Sequence, residues 1–143
     1  ATRSASSYKD AMATPDDRDA RRMRLDVEIH FAAAHRLPRY DGPCSRVHGH
    51  NYKLLVAVEG DVDPRTGMVA DFGEVKGVVQ AEVLSRVDHR DLNDLIENPT
   101  AENIARWVWE ALEGRLPGLA EVRLHEIPDC CVTYRGPTAR RQG

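Results

Sequence analysis

The segment from Tyr52 to Glu59 constrains the fold most, because its side chains alternate along the chain. Four apolar residues recur at every second position, and polar Lys53 and Glu59 lie on the opposite face; the four are Tyr52, Leu54, Val56 and Val58. A period of two is typical of a β-strand with one buried face. Residues 24–31 alternate in the same way. The sequence therefore predicts two strands joined by a loop rich in proline and glycine.

Three histidines flank this predicted loop. His48 and His50 lie two residues apart at the start of the second strand, so their side chains share one face. Gly49 between them leaves room for a close approach. His35 follows the first strand, and an antiparallel hairpin places it beside the other two. Three imidazoles with one open position are typical of catalytic zinc, so we expect His35, His48 and His50 to bind Zn²⁺.

A structural zinc site is the alternative that the spacing leaves open. Cys44 lies in the same loop, and Cys44, His48 and His50 would form a Cys-His site. The two kinds of site differ in their response to a chelator. Removal of a structural zinc ion unfolds the protein, whereas removal of a catalytic ion leaves a folded and inactive apoprotein.

Composition excludes several classes of function. The 143 residues are enough for one domain with a real core. A formal net charge of −3 gives no strong nucleic-acid footprint, and no apolar run approaches membrane-spanning length. The three cysteines are an odd number, and Cys130 and Cys131 are adjacent, so a disulfide framework is not expected. A reducing cytoplasm fits best, and it would keep Cys44 a thiol.

The remaining periodic segments predict two helices and two late strands. After a turn and a short strand at Met68–Ala70, Asp71 and Glu74 form a capping-box-like start to a helix that ends near Arg86. A second helix begins near Pro99 or Thr100 and follows a helical apolar pattern up to the natural stop at Gly114. Two strands complete the chain, over residues 122–126 and 130–135.

This order of elements predicts an α+β domain over residues 24–136. Two helices cover one face of an antiparallel four-stranded sheet. Residues 1–23 form a polar N-terminal extension with no chemistry of its own, and residues 137–143 form a polar tail.

Glu126 is a candidate recognition group. Continuing the period of the first late strand places it on the face of Val122 and Leu124. A carboxylate in line with core residues is costly unless it is paired. The alternative is that the strand has already left the core at this residue.

Five separated blocks resemble the 6-pyruvoyltetrahydropterin synthase superfamily in order and spacing. They are F-A-A-A-H-R-L-P (31–38), C-S-R-V-H-G-H-N-Y (44–52), G-M-V-A-D-F (67–72), V-D-H-R-D-L-N-D (87–94) and E-N-P-T-A-E-N-I-A (97–105). The resemblance covers roughly residues 24–136. Three residues separate Cys44 from His48, which is similar to the 6-carboxytetrahydropterin synthase branch of queuosine biosynthesis.

The resemblance implies a fold and an assembly. The superfamily has the tunnelling fold, in which the sheets of three subunits join into a barrel. Two such trimers stack into a homohexamer. Closing the sheet across subunits removes the exposed edges that a lone four-stranded sheet must manage.

The resemblance also implies the roles of particular residues. The substrate is 7,8-dihydroneopterin triphosphate, and Zn²⁺ is held by the three histidines already named. Cys44, Asp88 and His89 are expected to move protons, in a relay that subunits assemble together. Glu126 is expected to bind the pterin ring, with Thr100 and Glu102 near it. One residue departs from the family pattern, because Ile127 stands where the family has threonine.

The expected function is that of a zinc-dependent lyase, a 6-carboxytetrahydropterin synthase-like enzyme. It would form 6-carboxy-5,6,7,8-tetrahydropterin, acetaldehyde and triphosphate. One alternative is 6-pyruvoyltetrahydropterin synthase, which eliminates triphosphate without cleaving a carbon–carbon bond. A second alternative is a non-catalytic zinc- or pterin-binding module on the same fold.

Overall fold

The structure is a computed structural model and describes residues 21–138. Most of the predicted N-terminal extension and of the polar tail therefore lies outside the described residues. Within residues 21–138, none of the helices combines the length and the apolar character that crossing a bilayer requires.

A long antiparallel hairpin forms the centre of the fold. Strands β1 (Arg22–His35) and β2 (His48–Asp61) each have 14 residues. Their register pairs Arg22 with Asp61 at one end and His35 with His48 at the other. One face of the hairpin is buried by alternate residues, including Val27, Phe31, Tyr52, Leu54 and Val56. The predicted hairpin is therefore confirmed, and β1 begins two residues earlier than the alternation at Arg24 indicated.

Three further strands extend the sheet. β3 (Arg90–Asp91) pairs with β1 in parallel, β4 (Leu119–Ile127) pairs with β2, and β5 (Cys130–Tyr134) pairs with β4. The strand order is β3-β1-β2-β4-β5. The four longer strands are antiparallel, as the sequence predicted. The sequence did not predict β3, because two residues are too few to show the alternation of apolar and polar side chains that is typical of a strand.

The predicted short strand at Met68–Ala70 is wrong, because these residues form bends instead. The Met68 carbonyl accepts a hydrogen bond from the Asp63 N–H at 3.0 Å, which closes a turn. Met68 itself is exposed. The apolar run thus leads from a turn into a helix without joining the sheet.

Two helices cover one face of the sheet. The first, α1 (Phe72–Val79), continues through a π-helical segment (Gln80–Leu84) and a last α-helical turn (Ser85–Val87). The second, α2, spans Ala101–Leu112. Asp71 caps the first helix, as predicted, by accepting a hydrogen bond from the backbone N–H three residues on. Thr100 caps the second in the same way, at the predicted start of that helix. The buried residues of both helices join the strands in one hydrophobic core.

The opposite face of the sheet holds a buried carboxylate. Glu121 of β4 is only 3% exposed. It accepts a hydrogen bond from Arg24 of β1 and another, at 3.1 Å, from Arg135 beyond β5. These guanidinium groups, Arg24 first, hold the pKa of the Glu121 carboxyl below its usual value. One carboxylate of β4 thus links a residue of β1 with a residue that follows β5.

We predict that Glu121→Gln lowers the thermal stability of the protein at neutral pH. The expected loss is about 1 kcal/mol, because both arginines are partly exposed and solvent screens the charges. A carboxyl whose pKa is lowered on folding stabilises the protein above its unfolded pKa and loses this effect as the pH falls. The difference in melting temperature from wild type should therefore shrink when the pH is lowered below the ordinary glutamate pKa of about 4.3.

Glu59→Gln is the matched control, because the ion pair that Glu59 makes within residues 21–138 is a long one, at 3.7 Å, with Arg22. Its effect on melting temperature should be smaller at every pH. An equal or smaller effect of Glu121→Gln would show that the buried carboxylate does not stabilise the sheet.

Candidate active site

The β1–β2 register brings the three predicted metal ligands together. His35 ends β1 and lies opposite His48, which begins β2, while His50 pairs with Ala33. The three ring centroids are 4.6–5.1 Å apart. The candidate ligand atoms of His35, His48, His50 and Glu126 all lie within 4.8 Å of one another. We call these four residues the histidine cluster.

Backbone carbonyls fix the orientation of two of the imidazoles. His35 Nδ1 lies 2.8 Å from the Pro99 carbonyl oxygen, and His48 Nδ1 lies 2.7 Å from that of Arg46. A carbonyl oxygen can only accept, so both Nδ1 atoms donate and both Nε2 atoms keep a lone pair. The two Nε2 atoms face each other at 3.0 Å. Two facing lone pairs repel unless a proton or a cation lies between them.

The third imidazole also has an unsatisfied nitrogen. Among the buried side-chain polar atoms of the described residues, His50 Nε2 is the one without a hydrogen bond. Glu126 Oε1 lies 3.0 Å from it and 3.1 Å from His35 Nε2. Burial lowers the pKa of His50 and so favours its neutral, metal-binding form. Three imidazole nitrogens and one carboxylate that converge on a common point fit a divalent transition metal ion.

Glu126 has a position that the sequence only partly anticipated. The prediction placed it on the face of Val122 and Leu124 as a group that binds the pterin ring. The structure places its carboxylate against two imidazoles, 28% exposed. The contact was missed because it depends on the β2–β4 register, which aligns Leu54 with Leu124. Its role in ring binding stays a prediction.

Two buried aromatic residues, Tyr52 and Phe31, lie next to the histidine cluster. Tyr52 is fully buried, stacks on Phe31 at 4.9 Å between ring centroids, and places its hydroxyl 3.4 Å from His35 Nδ1. Burial and the Glu126 charge raise the pKa of Tyr52, so the phenol stays neutral. Gly49 is not needed for a close approach here, because a Cβ at that position would make only ordinary contact, 3.7 Å from the Ala33 carbonyl oxygen.

Cys44 lies outside the histidine cluster. It is a free, partly exposed thiol in a 3₁₀ turn (Pro43–Ser45). Its sulfur is not among the ligand atoms that converge. The structure therefore favours the set with three histidines over the alternative site formed by Cys44, His48 and His50.

Asp88 and His89 contact each other directly, although they are adjacent in sequence. His89 Nδ1 lies 3.0 Å from Asp88 Oδ1. Asp88 Oδ1 also accepts a hydrogen bond from the Ala32 N–H at 3.0 Å, and the His89 N–H donates to the Ala32 carbonyl. The Ala32 amide, and then His89, lower the pKa of Asp88. His89 has a positive φ of 58°, which turns its ring back towards Asp88.

A groove connects this pair with the histidine cluster. Its volume is about 540 Å³, and both His50 and His89 line it. Small residues of β1, Ala32–Ala34, form part of its lining. The groove thus offers space for a small molecule between a candidate metal centre and a carboxylate-oriented imidazole.

Thr100 and Glu102 lie at the start of α2, next to the residue that orients His35. Thr100 Oγ1 accepts a hydrogen bond from the Asn103 N–H at 3.1 Å and so caps α2. The residue before it, Pro99, supplies the carbonyl that orients His35. Glu102 is exposed in the first turn of α2. Their predicted contact with substrate stays a prediction.

Ile127 is the residue that departs from the family pattern, and it lies at the end of β4. It is 42% exposed. The β4–β5 register shifts between His125 and Ile127, so that Ile127 pairs with Cys130 across a tight turn. The departure from the family pattern at Ile127 therefore lies where the β4–β5 pairing is irregular.

The chain is similar to one known protein family and to several of its members. The family model described as 6-pyruvoyl tetrahydropterin synthase matches residues 24–137. The chain is 38% identical to a 6-carboxy-5,6,7,8-tetrahydropterin synthase from Synechocystis, over 77% of this chain and 91% of the relative. It is 39% identical to a dihydroneopterin monophosphate aldolase from Pyrococcus furiosus, over 73% and 85%. The solved 6-pyruvoyl tetrahydropterin synthase of Caenorhabditis elegans has a TM-score of 0.75 and 32% identity, covering 81% of this chain and 96% of that one.

We predict that His50→Ala lowers the affinity for Zn²⁺ by about a hundredfold or more, because it removes one of three neutral nitrogen ligands. Cys44→Ala should change the affinity less than about threefold, since the thiol lies outside the cluster. Competition with a chromophoric chelator measures both affinities. His30→Ala is the matched control, because His30 is an exposed histidine on the other face of β1 that contacts Glu28.

An equal loss of affinity in Cys44→Ala would instead favour the Cys-His site. Circular dichroism after chelation gives a second readout. A folded apoprotein is expected for the histidine cluster, because the surrounding core does not depend on the metal ion.

Proposed function

This chain belongs to the 6-pyruvoyl tetrahydropterin synthase family and has its tunnelling fold, and we propose that it is a zinc-dependent lyase. The family acts on pterins. The reaction that we propose converts 7,8-dihydroneopterin triphosphate and one molecule of water to 6-carboxy-5,6,7,8-tetrahydropterin, acetaldehyde and triphosphate. The observation that supports it best is the groove shared by His50 of the histidine cluster and His89 of the Asp88–His89 pair.

We assign the binding of Zn²⁺ to His35, His48 and His50. When bound, this ion would supply Lewis acidity for the hydroxyls on the substrate side chain and favour their deprotonation. The residues behind the ligands set the strength of the site. The carbonyls of Pro99 and Arg46 hold two Nδ1–H groups and so direct both Nε2 atoms inwards.

Cys44 and the Asp88–His89 pair are the proposed proton-transfer groups. The Asp88 carboxylate contacts His89 Nδ1, which keeps the proton on that nitrogen and leaves Nε2 free to accept or donate one. Cys44 is the proposed base, because its free thiol lies in the loop that joins the two strands carrying His35, His48 and His50. The cysteines of the chain are free thiols, which suits the reducing cytoplasm that we propose as its location.

The exposure of His89 supports a site shared between subunits. Its side chain is 81% exposed, and a general acid works best where water is excluded. In the proposed homohexamer, sheets join into a barrel within each trimer and a neighbouring subunit covers this groove. β5 is the last strand on its side of the described sheet and offers an edge for such pairing.

Recognition of the substrate falls to three residues in this proposal. The Glu126 carboxylate would accept hydrogen bonds from the paired N–H groups of the pterin ring, with Thr100 and Glu102 near the ring. Glu126 belongs to the histidine cluster and is still partly exposed. It can therefore join the metal centre to the ring site.

This proposal predicts the products that mass spectrometry should detect. Zinc-loaded protein mixed with 7,8-dihydroneopterin triphosphate should release acetaldehyde and a carboxy-tetrahydropterin. The three-residue spacing between Cys44 and His48 and the Synechocystis relative support this outcome. A pyruvoyl product without acetaldehyde would move the assignment to 6-pyruvoyltetrahydropterin synthase. No turnover by zinc-loaded, folded protein would favour the non-catalytic binding module.

We predict that Cys44→Ala and His89→Ala each lower kcat by about a hundredfold or more, since each removes a proposed proton-transfer group. Metal content should stay unchanged in both, because neither residue belongs to the histidine cluster. Cys131→Ala is the matched control, since Cys131 is an exposed thiol of β5. Full turnover by a metal-loaded Cys44→Ala enzyme would exclude the thiol as the base.

A further inference from the structure

Residues 88–93, which we call the edge segment, bind the outer edge of β1 near its end. Its first two residues bond both backbone groups of Ala32. Its middle residues form β3, which pairs with Ala33 and Ala34. Beyond these pairs, the next contact of the edge segment is made by the side chain of its last residue, Asn93, with the residue that follows β1.

Asn93 bonds both backbone groups of a single residue. Its Oδ1 accepts from the Arg36 N–H at 2.8 Å, and its Nδ2 donates to the Arg36 carbonyl at 2.9 Å. A side-chain amide offers the same donor and acceptor as a peptide group, so Asn93 continues the pairing of β1 past His35. Its own N–H donates to Asp91 Oδ1 at 3.0 Å, which fixes the backbone that presents the amide.

The residue held in this way begins the loop that contains Cys44. We call residues 36–47 the Cys44 loop. Directly after Arg36, the Leu37 N–H donates to the Cys44 carbonyl at 2.8 Å. Two consecutive residues, Arg36 and Leu37, therefore link the Asn93 side chain to the backbone of Cys44. The contact of Arg39 with Glu97 joins two exposed side chains, and such pairs contribute little.

We infer that Asn93 is a positioning residue that holds the Cys44 loop in a fixed place relative to the Asp88–His89 pair. The catalytic consequence rests on the proposed function, because it concerns the two groups to which proton transfer is assigned. The structural consequence does not depend on any substrate. The two can therefore be tested separately.

The structural test uses Asn93→Ala in a protein whose two exposed cysteines, Cys130 and Cys131, are replaced by serine. Loss of both bonds to Arg36 should raise the exchange rate of the Leu37 amide hydrogen by about tenfold or more. Alkylation of Cys44 by iodoacetamide in metal-free protein should become about threefold faster or more, because the loop opens more often. Nuclear magnetic resonance and mass spectrometry measure the two rates.

Two further variants make the test specific. Asn103→Ala is the matched control, because Asn103 Nδ2 also donates to a backbone carbonyl, that of Asn98, at 2.8 Å. It should leave Leu37 exchange and Cys44 alkylation unchanged. Asn93→Asp keeps an acceptor for the Arg36 N–H and loses the donor, so its rates should lie between those of wild type and Asn93→Ala.

The catalytic test compares kcat with KM on the same variants. We expect Asn93→Ala to lower kcat by about tenfold and to change KM less than about twofold, because it misplaces a reacting group without removing a binding contact. Zn²⁺ affinity should stay close to that of wild type, since the His35 ring is held separately by Pro99.

Unchanged Leu37 exchange and unchanged Cys44 alkylation in Asn93→Ala would overturn the inference. If that variant does not fold, the same result in Asn93→Asp would overturn it. Faster exchange and alkylation in a protein that shows no turnover even as wild type would support the positioning role and reject the proposed reaction.

Discussion

The pairing register between β1 and β2 is the constraint on which the rest of the structure depends. Side chains on a strand change face at every residue, so a shift by one position would move the whole apolar set from the core to the solvent. The same shift would separate His35 from His48 and His50, which meet only because the strands pair end to end. One register thus determines both the hydrophobic core and the candidate metal centre.

Local patterns were enough to predict most of this fold. Alternation identified the strands of the hairpin, and Asp71 and Thr100 identified the helix starts, because each of these signals depends on residues close in sequence. The three histidines could be grouped for the same reason, since they flank one hairpin loop. The prediction of a strand at Met68–Ala70 was wrong, because an apolar run of three residues is too short to show whether the chain forms a strand or a bend.

Contacts between segments that are far apart in the chain could not be predicted from the sequence. The Pro99 carbonyl that orients His35 comes from 64 residues away, and the Glu126 carboxylate reaches the cluster from β4. The Asn93 amide that pairs with Arg36 lies 57 residues from it. No periodic signal encodes such partners. They follow from how α2, β4 and the edge segment pack against the hairpin, and they place a carbonyl, a carboxylate and an amide beside the hairpin and its loop.

The backbone of His89 shows what the chain gives up for this site. A residue with a side chain in the left-handed region costs roughly 1 kcal/mol compared with glycine. Folding alone would therefore favour a different residue at this position. The proposed role of His89 in proton transfer would account for an imidazole there, largely exposed and turned towards Asp88, in spite of this cost. Variants selected only for heat resistance would tend to lose this histidine.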